Sequence, residues 1–168
     1  MSERLQTVVR AATAVDAAAA ARIYNHHVAH TIVTFEEEEV TAAKFTRRIA
    51  AVQDASLPWL VAELEGAIAG YAYATRWRER RGYRFSAEVT VYVTPEREGQ
   101  GVGTALYARL LAELRERGFH AAVGGIALPN EGSVALHEKF GFRKVAHFEQ
   151  TGFKFDRWID VGYWELLL

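Results

Sequence analysis

Hydrophobic residues recur at two different spacings along this chain, and the switches between them outline the fold. Leu106, Leu110 and Leu114 share one face of a helix predicted from Thr104 to Arg117, with Gly118 as its C-cap. Phe45, Ile49 and Val52 mark a second helix, capped by Thr41. An alanine-rich helix is predicted from Thr13, with Asp16 in its first turn, to about His27, and Val15, Ile23 and Val28 are read as its apolar side. Strands are predicted at Leu5–Arg10, Trp59–Leu64, Ile68–Trp77, Phe85–Val93 and Ala121–Leu128, then at about Lys144–Gly152 and Trp158–Leu166. Glu65-Gly66 and Asp156-Arg157 read as hairpin turns, and Thr31–Phe35 as irregular. Early strands pair as hairpins and later ones are separated by helices. The class is therefore α+β, with a mixed sheet and helices on both faces, in a single domain over residues 1–168.

One junction in this pattern carries chemistry. A β-rich run ends at Pro95, and Gly99, Gly101 and Gly103 then lead into the helix near Thr104. A glycine-rich turn at a helix N-terminus presents unpaired backbone N–H groups and the positive end of a dipole, which suits a phosphate or pyrophosphate. The Gly-x-x-x-x-Gly-Lys-Ser/Thr phosphate loop does not occur, and the Gly-x-Gly-x-x-Gly dinucleotide fingerprint fails because Thr104 and Leu106 stand where its third glycine is needed. A glycine turn with no ligand stays open on these residues alone. Further on, Asn130 begins a turn, a short helix is predicted from about Ser133 to Phe140, and Gly141 is placed as its C-cap.

Composition narrows the class. The net charge of −1, from 20 basic and 21 acidic residues, gives no field to draw nucleic acid or an anionic membrane. Cysteine is absent, which removes thiolate catalysis and disulfides. No apolar stretch of about 18 residues suggests a membrane span, and Met1–Gln6 has no apolar signal core, so a cytoplasmic protein is expected. His26 and His30 have the spacing of a metal pair but lack a third ligand in context, so no metal is expected.

Glu98-x-x-Gly101-x-Gly103 followed by Asn130-x-x-Ser133 and His137-x-x-x-Gly141-Phe142 resembles the paired motifs of the GNAT acetyltransferases. Ile23-Tyr-Asn-His26, Trp59–Glu63, Gly70–Ala74, Gly152–Lys154 and Trp158–Trp164, in this order, are similar to the phosphinothricin N-acetyltransferase branch, over roughly residues 5 to 167. The resemblance implies a sheet splayed between its fourth and fifth strands, acetyl-CoA as cofactor, a small amino acid analogue as acceptor and a homodimer. It implies that Val91, Tyr92 and Val93 hold the pantetheine arm, that Glu98, Gly99, Gln100, Gly101, Val102, Gly103 and Thr104 hold the pyrophosphate, and that Asn130 and Ser133 complete the cofactor site. Glu98 stands where the family usually has Gln or Arg, and would repel the pyrophosphate unless it turns outward or pairs with Arg97. Phe155 and Ile159 replace polar residues common in the closing hairpin of the branch.

Acetyl transfer to an amine requires a proton acceptor, a donor for the developing oxyanion and help for the departing thiolate. Glu88, in an otherwise apolar strand, is the candidate base; the alternatives are a solvent-facing strand residue or an ion pair with Arg78 or Arg84. His137 takes the position from which the family protonates the thiolate, or is simply a buried helix histidine. Arg78, Arg80 and Tyr83 are candidates for the acceptor's anionic group, since a guanidinium pairs bidentately with a carboxylate or phosphinate, with Phe35, Tyr73 and Thr75 as further pocket residues. Two rivals remain: a GNAT enzyme for a polyamine or a protein N-terminus, and a non-catalytic acyl-CoA-binding sensor.

Overall fold

The computed structural model describes residues 6–168. Its elements are β1 (Val8–Ala11), α1 (Ala17–His30), α2 (Ala42–Asp54), β2 (Trp59–Leu64), β3 (Ala67–Arg76), β4 (Ser86–Val93), α3 (Val102–Glu116), β5 (Ala121–Leu128), α4 (Glu131–Lys139), β6 (Arg143–Lys154) and β7 (Arg157–Leu167). Seven strands form one mixed sheet in the order β1-β2-β3-β4-β5-β7-β6, in which only β4 and β5 run parallel. This is the mixed α+β sheet expected from the sequence.

Local chemistry explains most boundaries. The Thr41 hydroxyl accepts from the Lys44 N–H at 3.2 Å and starts α2, whose Phe45 and Ile49 are buried. Glu65 and Gly66 both take positive φ, as a tight hairpin turn requires, and Phe155 and Asp156 do the same between β6 and β7. Leu106, Leu110 and Leu114 are fully buried beneath α3, each contributing about 1.5–3 kcal/mol by leaving water.

Other expectations need correction. Val15 is 85% exposed, because the Asp16 carboxylate accepts from the Thr13 N–H and from Arg10, each at 2.8 Å, and turns Ala14–Asp16 into a short 3-10 segment ahead of α1. The face that α1 buries is instead formed by Ala17, Ala20, Ala21, Ile23, Tyr24, His27 and Val28. Both phosphate-side helices start earlier than predicted, α3 at Val102 and α4 at Glu131. The first strand begins at Val8, and Leu5 lies outside the described residues.

Alternation along the strands divides the sheet into two faces. Tyr71, Tyr73 and Thr75 pair with Tyr92, Thr90 and Glu88. They lie toward α1 and α2, where Phe45 meets the rings of Trp59 and Tyr71 at 5.8 and 5.6 Å. Ala122, Gly124 and Ile126 lie on the other face, where His137 of α4 abuts Gly124 and Tyr107 of α3 bonds His137.

Candidate active site

The sheet opens where the site forms. Strands β4 and β5 pair only at Ser86–Ala121, Ala87–Ala122 and Glu88–Val123. Beyond that point Val89–Val93 has no strand partner on this side, although β5 continues to Leu128. A strand edge inside a sheet offers main-chain donors and acceptors to an extended ligand. Val91, Tyr92 and Val93 lie on this free edge, and the Val93 carbonyl is held from α1 by His27 Nε2 at 3.0 Å. The slot thus fits the pantetheine arm.

At the end of β4, Pro95–Arg97 makes a single 3-10 turn, and Glu98, Gly99 and Gln100 lead to Gly101, the N-cap of α3. Gly101 has φ +87°, a conformation costly for other residues, and caps with no side chain. The N–H groups of Val102, Gly103 and Thr104 belong to the first helical turn and so have no intrahelical acceptor. Gly103 is also packed close: a Cβ there would lie 3.2 Å from Leu136. The cradle therefore fits a pyrophosphate bound by main chain. Glu98 is exposed, and Arg97 pairs with Glu65 across the β2–β3 turn instead of with Glu98. Lys139 was not anticipated from sequence; its Nζ bonds Thr104 Oγ1 at 3.2 Å and sets a cation at the mouth of the cradle.

His137 is 3% exposed. Its Nδ1 donates to the Ser133 carbonyl at 2.7 Å and its Nε2 accepts from the Tyr107 hydroxyl at 2.9 Å, so both ring nitrogens are engaged. Burial lowers its pKa, partly offset by the Ser133 carbonyl, which favours the neutral ring. A Cβ on Gly124 would lie 2.4 Å from His137 Nε2, so that glycine lets the imidazole rest on the wall of the slot. Tyr107, which the sequence analysis did not single out, is thus the side-chain partner of His137 Nε2. Asn130 caps α4, its Oδ1 accepting from the Ser133 N–H at 3.1 Å, which leaves its amide N–H groups for the cofactor.

Glu88 lies at the last β4–β5 pair, on the opposite face from His137. It is half-buried, forms no ion pair within 4 Å among the described residues, and its pKa is raised by burial against the opposing charge of Arg78. Arg78 stacks over Trp77 at 4.4 Å, and Trp77 meets Tyr163 edge-on at 5.6 Å. Arg80 and Tyr83 stand exposed in the following turn. Thr75, the strand partner of Glu88, lines a cavity of about 630 Å³ together with Tyr73, Phe35, Trp59, Glu36 and Arg48. The structure thus gathers Glu88, Thr75, Tyr73 and Phe35 on one side, with Arg78 near enough to act on Glu88. The Glu36–Arg48 pair had no motif to announce it. His26 and His30 stand on exposed turns of α1 with tilted rings whose centroids are 4.9 Å apart.

Comparison with known proteins bears on the family and the fold. Residues 9–162 match the acetyltransferase (GNAT) domain. The chain is 40% identical over 163 residues to a phosphinothricin N-acetyltransferase of Streptomyces viridochromogenes, covering 97% of this chain and 88% of that protein. It is 38% identical to an L-methionine sulfoximine/L-methionine sulfone acetyltransferase of Salmonella typhimurium, covering 95% and 94%. A Sinorhizobium meliloti phosphinothricin acetyltransferase solved with acetyl-CoA superposes with a TM-score of 0.93 at 34% identity, covering 96% of this chain and 88% of that one. The chain therefore belongs to the GNAT family and is an N-acetyltransferase.

Proposed function

We propose that this enzyme transfers the acetyl group of acetyl-CoA to the α-amino group of a small amino acid analogue of the phosphinothricin, methionine sulfoximine or methionine sulfone type, by direct attack in a ternary complex. The observation that carries the reading is Glu88: a half-buried carboxylate with a raised pKa, at the opening of the β4–β5 slot and on the face that holds the cavity. Relatives named for these substrates support the acceptor class.

Acetyl-CoA supplies a thioester carbonyl within the slot. Glu88 takes the proton of the incoming ammonium or amine, directly or through one water, and burial suits it to that work near neutral pH. Arg78 and Arg80 receive the acceptor's anionic group. Free main-chain N–H groups of β4 stabilise charge on the carbonyl oxygen. The α3 cradle and Lys139 fix the pyrophosphate, with Asn130 and Ser133 along the arm. His137 and Tyr107 form a neutral, buried pair beside the slot, and we assign them the support of the departing thiolate.

A homodimer is part of the proposal. Edge strand β6 and its hairpin with β7 expose Val145, Phe148, Phe153, Phe155 and Trp158, an apolar surface suited to a second copy. No helix among the described residues is long and apolar enough to cross a membrane, in keeping with the cytoplasmic location proposed here.

The test is free-thiol release from acetyl-CoA with phosphinothricin, methionine sulfoximine, methionine sulfone, spermidine and an N-terminal peptide. Turnover with the first three and not with the last two is expected. Turnover on spermidine or the peptide alone would replace the acceptor class, and tight acetyl-CoA binding without any turnover would leave the sensor in its place.

A further inference from the structure

Lys154 is a buried cation that the proposed reaction does not use. It ends β6, where alternation along the strand turns Phe153 outward and Gly152 and Lys154 inward, and it is 1% exposed. An ammonium so buried is costly unless its three N–H groups find acceptors. Here Nζ donates to the Thr31 and Thr34 carbonyls, each at 2.8 Å, and more distantly to the His27 carbonyl at 3.4 Å. It forms no ion pair within 4 Å among the described residues. The negative end of the α1 dipole adds to what favours a cation here. The closing hairpin is thus fastened to the last turn of α1 and the loop after it, 120 to 127 positions earlier in the chain.

What Lys154 holds reaches both halves of the site. On the cavity side, neither the Thr31 nor the Thr34 carbonyl has another donor among the described residues. Thr34 Oγ1 accepts from the Glu36 N–H at 3.2 Å, and Phe35 and Glu36 line the cavity. The Phe35 ring also rests on Gly152 of the hairpin, where a Cβ would strike it. On the slot side stands His27, which is buried. Its carbonyl meets Lys154, and its Nε2 donates to the Val93 carbonyl at 3.0 Å on the free edge of β4. One turn of α1 is therefore bonded to the slot by a side chain and to the hairpin by main chain. His27 and Lys154 alone join the Val93 carbonyl to the Thr34 carbonyl.

We propose that Lys154 is a positioning residue that couples the two halves of the site. By fixing the loop to Glu36 against the last turn of α1, it makes binding in the β4 slot favour binding of the acceptor, and the reverse. The inference rests on the proposed N-acetyltransferase reading, which gives the slot to coenzyme A and the Glu88 side to the acceptor. A pantetheine arm bonded to the β4 edge steadies Val93, and with it His27 and the turn that Lys154 grips. The loop carrying Phe35 and Glu36 is then already ordered when the acceptor arrives, and less conformational entropy is lost in the second step. Reciprocity requires the acceptor to tighten coenzyme A by the same factor.

The experiment measures, by titration calorimetry, Kd of methionine sulfone for the free enzyme and for the enzyme saturated with coenzyme A, a pair between which no acetyl group can move. It is made on the wild type, Lys154→Met and His27→Phe. Methionine keeps most of the length of lysine without its donors. Phenylalanine keeps a ring beside Tyr92 and loses the donor to Val93. In the wild type, coenzyme A should tighten methionine sulfone about fivefold or more, the low end of the ~5–150-fold usual for coupled sites. Lys154→Met should bring that ratio near one and weaken methionine sulfone on the free enzyme, with coenzyme A alone bound as before. His27→Phe should also lose the ratio while methionine sulfone binds the free enzyme as in the wild type. A general structural defect would weaken both ligands and keep the ratio. An undiminished ratio in Lys154→Met overturns the inference, as does a wild-type ratio near one. Should Lys154→Met fail to fold in a denaturant titration, Lys154→Gln, which keeps amide donors, replaces it, and an undiminished ratio there overturns the inference equally. If the wild type acetylates methionine sulfone with a ratio near one, only the coupling fails; if it binds coenzyme A and not methionine sulfone, the acceptor reading fails and this inference with it.

Discussion

The two faces of the sheet are built from different materials. In the proposed site, recognition on the α3/α4 face falls to the main chain: the free edge of β4, the first turn of α3, and glycines at residues 101, 103 and 124 that let backbone and imidazole come close. On the α1/α2 face the proposed site is made of side chains from separate segments: Phe35 and Glu36 from the loop after α1, Arg48 from α2, Trp59 from β2, and Tyr73 and Thr75 from β3 line the cavity, with Glu88 of β4 beside Thr75. A site made of backbone tolerates altered side chains, and in the proposed cradle Glu98 is exposed at its rim. A site made of side chains changes its ligand whenever one of them changes.

Substitutions on the two faces should therefore act on different constants. The largest effect is expected from Glu88→Gln, with kcat falling about 10²–10⁴-fold and acetyl-CoA affinity unchanged by titration calorimetry. Next is Gly124→Ala, whose Cβ would lie 2.4 Å from His137 Nε2. Displacing the imidazole breaks its bond to Tyr107, and a loss of about 1–3 kcal/mol in unfolding free energy follows from overpacking. In that variant kcat falls while acceptor KM holds, as denaturant titration and initial rates would establish. Arg78→Met should raise acceptor KM and move the acidic limb of the rate profile to higher pH. The sign follows from Arg78 holding the Glu88 pKa down: with that charge gone, Glu88 keeps its proton to higher pH. The smallest effect is expected from Glu98→Gln, a two- to fivefold tightening of acetyl-CoA, about 0.4–1 kcal/mol, that fades as salt is raised. An acceptor KM that responds to Glu98→Gln, or an acetyl-CoA affinity that responds to Arg78→Met, breaks the division between the faces.

Legibility in the sequence follows the same division. Gly99, Gly101 and Gly103 alternate through one strand-to-helix junction, so their spacing marks a candidate cradle and the paired Asn130–Phe142 motif gives it a ligand, while Leu106, Leu110 and Leu114 mark the helix behind it. Glu88 stands out because a carboxylate in an apolar strand is costly. Glu36 and Arg48 are 12 positions apart, and no local spacing marks them as a pair until the loop after α1 folds against α2. Tyr107 follows buried Leu106 on α3, and nothing local marks its hydroxyl as the partner of His137, which lies 30 positions on. Val15 misled because an apolar residue in register with a helix was counted as part of its stripe, when the Thr13–Asp16 capping box starts the chain in a different turn.

The most direct test of the account is the pH dependence of kcat/KM for methionine sulfone in the wild type and Glu88→Gln, with acetyl-CoA binding measured alongside. An acidic limb titrating above the ordinary carboxylate range, present in the wild type and gone in the variant while acetyl-CoA binds both equally, is the predicted result. An acidic limb that persists in Glu88→Gln with its rate intact would contradict the account and remove Glu88 as the base.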